Sequence, residues 1–123
     1  MDVLLWIIAG VLAAALAFSG VFKLVLPRER YVASQPWAAD APSWAPPAIG
    51  VLEVAGAVGV VLPALIGVAP VVVPVAATGL ALVMAGAVAM HVARREWSAL
   101  VPSGVLLVLA ALVAWARFGP YAF

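Results

Sequence analysis

The sequence predicts an all-α integral membrane protein: a four-helix bundle with a Pro/Trp-rich interfacial loop between helices 1 and 2. Three observations predict it. The 123 residues are 68% hydrophobic and only 9% charged. Soluble domains carry about 25% charged residues, and six basic and five acidic side chains cannot solvate a surface of this size. Four apolar runs are long enough to cross a bilayer, and one polar stretch of any length separates the first from the rest.

The first run spans Val3 to Leu26, enough at 1.5 Å per residue to cross a hydrocarbon core of roughly 30 Å with tilt. A secretory signal would open on a basic segment, whereas this chain opens Met1-Asp2. Ala15-Leu16-Ala17 resembles a cleavage site, but the apolar run continues past it, so the expectation is a retained span, with cleavage as the alternative. Pro27 ends the run, and Ser19 and Lys23, four apart, share a face.

Residues 27–47 hold Pro27, Pro36, Pro42, Pro46 and Pro47 together with Tyr31, Trp37 and Trp44. That proline density forbids a continuous helix. The aromatic residues suit the headgroup zone. The segment is thus an interfacial strap, or a lid that brings Trp37 and Trp44 to a ligand. The second span covers residues 48–66, with Pro63 kinking its last turn. The third covers 71–92, with Pro74 near its start, and the fourth covers 99–118, with Pro102 near its start. The whole, 1–123, reads as a single transmembrane domain. Trp115, Arg117 and Tyr121 mark the far interface. Arg28, Arg30, Arg94 and Arg95 crowd the loop side against Arg117 on the side of the termini. The positive-inside rule therefore predicts cytoplasmic loops at 27–47 and 94–98 and both termini outside, in a cell membrane.

Glu53 is the only formal charge between Ala41 and Ala93. A carboxylate in hydrocarbon costs several kcal/mol unless it is protonated, paired or hydrated. Lys23 lies four residues before Pro27, Glu53 six after Pro47, and His91 three before Arg94. By helical rise all three fall within about 5–9 Å of one face, with Ser19, Arg94 and Ser103 in the same layer. The reading is that Lys23, Glu53 and His91 form one site, with Ser19, Arg94, Ser103, Trp37 and Trp44 as further ligand contacts. The bland alternative is a structural Lys23–Glu53 pair, or Lys23 snorkelling alone to the headgroups, with His91 bonded to a carbonyl.

The composition also narrows the chemistry. With no cysteine there is no disulfide, thiolate nucleophile or iron–sulfur ligand, and one histidine cannot make bis-His haem. No metal is expected, since a third ligand is lacking unless Asp40 swings in. No basic cluster suits nucleic acid.

The segments Phe18-Ser19-Gly20-Val21-Phe22-Lys23-Leu24, Ile49-Gly50-Val51-Leu52-Glu53-Val54-Ala55-Gly56-Ala57 and Met84-Ala85-Gly86-Ala87-Val88-Ala89-Met90-His91 resemble the DoxX-like family of small bacterial membrane proteins. The resemblance implies a four-helix membrane bundle with recurrent polar positions at Lys23, Glu53 and His91. It also implies a relation to membrane subunits of thiosulfate:quinone oxidoreduction and to anchors for redox partners. The leading expectation is therefore a membrane subunit that binds a quinone-like or other lipophilic small molecule, or a lipid, and serves a redox partner. Two alternatives stand beside it. One is a membrane enzyme doing acid/base isomerisation, cyclisation or epoxide opening with Glu53, His91 and Lys23. The other is a structural or assembly protein, a homo-oligomer packed through glycines.

Overall fold

The structure, a computed structural model, describes residues 2–123. Helix α1 runs Asp2–Val25, α2 Arg28–Ser34, α3 Ala45–Gly59, α4 Leu62–Ile66, α5 Val72–Ala93 and α6 Trp97–Phe118, with a 3-10 turn at Pro36–Asp40 after α2. Four apolar segments are long enough to cross a membrane: Asp2–Val25, Ala45–Ile66, Val72–Ala93 and Trp97–Phe118. They alternate in direction, and α1, α3, α5 and α6 close a ring in that order. The α5–α6 and α1–α3 pairs are the most intimate, and of the four neighbouring pairs α1 and α6 pack most loosely.

Helical periodicity explains which face each helix buries. In α1 the buried residues are Leu5, Ala9, Leu12, Leu16 and Gly20, a spacing of three and four that makes one stripe. Leu12 and Leu16 meet Ala57, Val60, Ala77, Leu80, Met84, Ala110 and Val113 in one core, which fills the middle of the bundle and the half nearer the termini. Val3, Ile7, Phe18, Leu82, Val101 and Val108 point outward and are exposed, as lipid-facing side chains must be.

Prolines correct three expected boundaries. The second span begins at Ala45, with Pro46 and Pro47 in its first turn, where a missing N–H costs nothing. It then breaks at Val60–Val61 into α3 and α4 rather than merely kinking at its end. Pro63 is the cause, because its ring collides with the carbonyl four residues back, that of Gly59. The fourth span starts two residues earlier than expected, so Pro102 lies inside α6 and denies the Ser98 carbonyl its helical donor. The loop after α1 is not continuous helix, as expected, yet it is more ordered than a plain strap. Tyr31, Trp37 and Ala38 are buried against Phe22, Leu26, Ile49 and Met90.

The two ends of the bundle differ. Near the termini Arg117, 5% exposed, donates from Nη1 to Asp2 Oδ1 at 2.8 Å and to the Tyr121 carbonyl at 2.9 Å. Its guanidinium also lies 3.9 Å from the centre of the Phe123 ring. Arg117 therefore fastens the start of α1 to the end of α6. At the loop end no such clasp joins these two helices among the described residues, and the space between the four spans is hollow.

A cavity lined by Lys23, Glu53 and His91

Glu53 is 1% exposed on α3. Gly20 and Gly50 explain how α1 reaches it. A Cβ at Gly20 would lie 2.7 Å from the Gly50 carbonyl oxygen, and one at Gly50 would lie 2.8 Å from the Gly20 carbonyl oxygen. Backbone thus rides on backbone, and Lys23, one turn on from Gly20, is delivered to Glu53. Its Nζ stands 2.7 Å from Glu53 Oε1 and donates to Ser19 Oγ at 2.6 Å. The Lys23–Glu53 contact is an ion pair rather than a directed hydrogen bond, since Oε1 has no donor in hydrogen-bonding geometry. The pairing offsets the cost of burying each charge.

A cavity of about 510 Å³ opens beside this pair. From α1 it is lined by Leu16, Ser19, Phe22 and Lys23, from α3 by Ile49 and Glu53, from α5 by Met84, Ala87, Met90 and His91, and from α6 by Ala99, Pro102, Ser103 and Leu106. Gln35 and Trp37 of the strap close its outer end, and Trp37 Nε1 donates to Gln35 Oε1 at 3.2 Å. Leu82 and Gly86 also line it and are themselves exposed on the outer surface, so the cavity reaches the flank of the bundle within an apolar span. Its volume is typical of pockets for small organic ligands.

The residues singled out from sequence divide into two groups. Lys23, Glu53, His91, Ser19, Ser103 and Trp37 all line this one cavity. Arg94 and Trp44 do not. Arg94, the C-cap of α5, is drawn outward by carboxylates. It is ion-paired with Asp40, and its Nε lies 3.3 Å from Glu96 Oε1. Trp44 caps the N-terminus of α3 and is 69% exposed, facing away from the site. Asp40 is likewise committed to Arg94. Among the described residues no three His, Asp or Glu side chains gather as a metal-binding group.

His91 is 6% exposed, and its partner is Glu96 rather than Glu53, with Nδ1 3.0 Å from Glu96 Oε1. Local backbone makes that pairing. The Glu96 N–H bonds the His91 carbonyl at 2.9 Å and the Arg95 N–H bonds the Val92 carbonyl at 3.1 Å, the pattern of a Schellman motif. Arg95 occupies its left-handed position at φ 56°, where glycine is usual. The reversal folds Glu96 back over the last turn of α5. The hydrogen bond from His91, aided by Arg94, holds the Glu96 carboxyl below the usual carboxylate range. Glu96 and Gln35 are the polar residues that sequence reasoning missed.

Above the cavity the Tyr31 hydroxyl is buried without a partner. Burial, and secondarily the charge of Glu53, pushes its pKa above the ordinary phenol value.

No curated protein and no solved structure matches the chain. Residues 7–113 match the DoxX-like family, which covers most of each of the four apolar helices and every lining residue of the cavity, and on this ground the chain belongs to the DoxX-like family.

Proposed function

We propose that this membrane protein holds a quinone-like or similarly lipophilic small molecule in the Lys23–Glu53–His91 cavity and serves a redox partner docked on the loop side. The loops would face the cytoplasm, as the arginine distribution favours. One observation carries the reading: a buried Lys23–Glu53 ion pair with Ser19 and His91 on the wall of an otherwise apolar cavity of about 510 Å³. Lysine and glutamate cancel in charge, so the cavity suits a neutral head with carbonyl or hydroxyl groups. The sideways opening suits a guest that partitions into the bilayer before it binds. With no cysteine and one histidine, the chain supplies few redox ligands of its own, which assigns electron transfer to the guest and its partner.

Titrating decylubiquinone into the protein in nanodiscs tests this through quenching of tryptophan emission, since Trp37 lines the cavity. The expected result is saturable quenching in the wild type and its weakening in Ser103→Phe, whose ring takes up part of the cavity without adding a tryptophan. Quenching no greater than simple partition into the bilayer, or equal quenching in the Ser103→Phe variant, refutes the proposal. Organic extraction of protein purified from its host membrane, followed by mass spectrometry, identifies the natural guest.

A further inference from the structure

A second recess of about 480 Å³ lies outside the first, between the strap and the α5–α6 turn. Ser34, Arg95, Glu96 and Ser98 line it beside Pro36 and Trp97, so it is more polar than the cavity. Four residues line both spaces: Gln35, Trp37, His91 and Ala99. Of these only His91 carries an imidazole, the side chain that most often serves as general acid and base. Its Nδ1 edge is turned to Glu96, which lines the outer recess alone. Its Nε2 has no hydrogen-bond partner among the described residues.

We propose that His91 relays protons between the outer recess and the cavity, and that Glu96 is the positioning residue that holds it in the Nδ1–H tautomer with Nε2 free as a base. The relay rests on the cavity being a binding site for small molecules. A guest hydroxyl in the cavity gives its proton to Nε2: the O–H bond breaks, an N–H bond forms, and the electron pair stays on the guest oxygen. The imidazolium so formed is paired with the Glu96 carboxylate. Its Nδ1–H then passes to water in the recess, which leaves a neutral ring carrying its proton on Nε2; loss of that proton and uptake of one at Nδ1 restore the starting tautomer. The reverse sequence delivers a proton to the guest.

The charges around the ring suit this task. On its own side stand Glu96, Arg94 and Arg95, with Asp40 held through Arg94. Across the cavity stand Lys23 and Glu53, already paired with each other. Glu96 is therefore the one carboxylate in contact with the imidazole. The hydrogen bond from His91, with Arg94 at 3.3 Å beside it, holds the Glu96 carboxyl below the ordinary value. A proton leaving the cavity thus meets an anion that is fixed in place.

The chain has a single histidine, so one ¹⁵N-histidine label in nanodiscs reports on this ring alone. The neutral wild-type ring is expected to carry its proton on Nδ1. Glu96→Gln is expected to shift it toward Nε2–H, the form free imidazole prefers, and Glu96→Asp to restore much of the wild-type signal. The probe for transfer is naphthol, whose excited state surrenders its O–H proton to a neighbouring base and then emits at longer wavelength. Bound naphthol is expected to show naphtholate emission in the wild type and to lose it several-fold in Glu96→Gln and His91→Phe. An Nε2–H tautomer in the wild type overturns the proposal, as does naphtholate emission unchanged in both variants. Bound naphthol that emits only in its neutral form overturns the relay alone, whereas naphthol that never binds saturably counts against both the relay and the cavity as a binding site.

Discussion

Lys23 Nζ stands 2.7 Å from Glu53 Oε1 across the seam where α1 and α3 touch backbone to backbone. Glu53 is almost wholly enclosed, so either charge left alone is costly. Lys23→Met strands the carboxylate and is expected to cost about 3–5 kcal/mol, whereas Lys23→Met combined with Glu53→Leu should recover most of that loss. Unfolding of the three proteins in mixed micelles reads the difference. A double variant no more stable than Lys23→Met alone contradicts the pairing.

The seam itself makes a second prediction. A methyl group at Gly20 or Gly50 meets a carbonyl oxygen on the facing helix, and backbone cannot step aside as a flexible side chain can. Gly50→Ala is expected to destabilise by about 1–3 kcal/mol. It should also weaken decylubiquinone binding, because Lys23 is carried away from Glu53. Gly10→Ala is the control, since its Cβ would meet nothing within 4 Å. Equal melting temperatures for the two variants would contradict this account.

Acid should loosen the outer end first. Glu96 has its folded-state value lowered below the ordinary 4.5, chiefly by the hydrogen bond from His91. The stabilisation it contributes is therefore complete above about pH 4.5 and drains away as pH falls through the lower folded value. Hydrogen exchange at the α5–α6 turn, followed from pH 7 to pH 3, should show amides 94–97 opening before the core of α5. Glu96→Gln should flatten that response.

Arg95 holds a left-handed backbone at φ 56°, a conformation that costs a residue with a Cβ about 1 kcal/mol. Arg95→Gly is expected to raise stability by that order while keeping the His91–Glu96 contact. Arg95→Pro cannot adopt this φ and removes the N–H that bonds the Val92 carbonyl. It should break the turn and, with it, the tautomer preference of His91. Thermal melts and the histidine spectrum check the two variants together.

The sequence makes some of this legible and hides the rest for physical reasons. Hydropathy finds the four spans to within a few residues, because burial in lipid leaves no other use for such runs. Equal depth below proline and arginine boundaries places Lys23, Glu53 and His91 in one layer, and the structure lines one cavity with all three. The break between α3 and α4 is harder to read, since a proline near a helix end can kink or sever it and only the Gly59 carbonyl decides which. The partner of His91 leaves no pattern at all. Glu96 is five residues on, off the helical face, and reaches His91 only through a reversal whose usual glycine is absent. Depth alone assigns Arg94 to the site, but Asp40 and Glu96 draw it outward.

The Arg117 clasp onto Asp2 gives the molecule the mechanics of a clothes peg: the spring sits among the chain ends and the jaws at the opposite face. On the proposed function, guests of different girth would part the jaws along the α1–α6 seam, the loosest of the ring, while the spring stayed closed. Breadth of appetite would then be set by residues that no guest meets, and selection for a new cargo could act on Arg117 as readily as on the cavity wall.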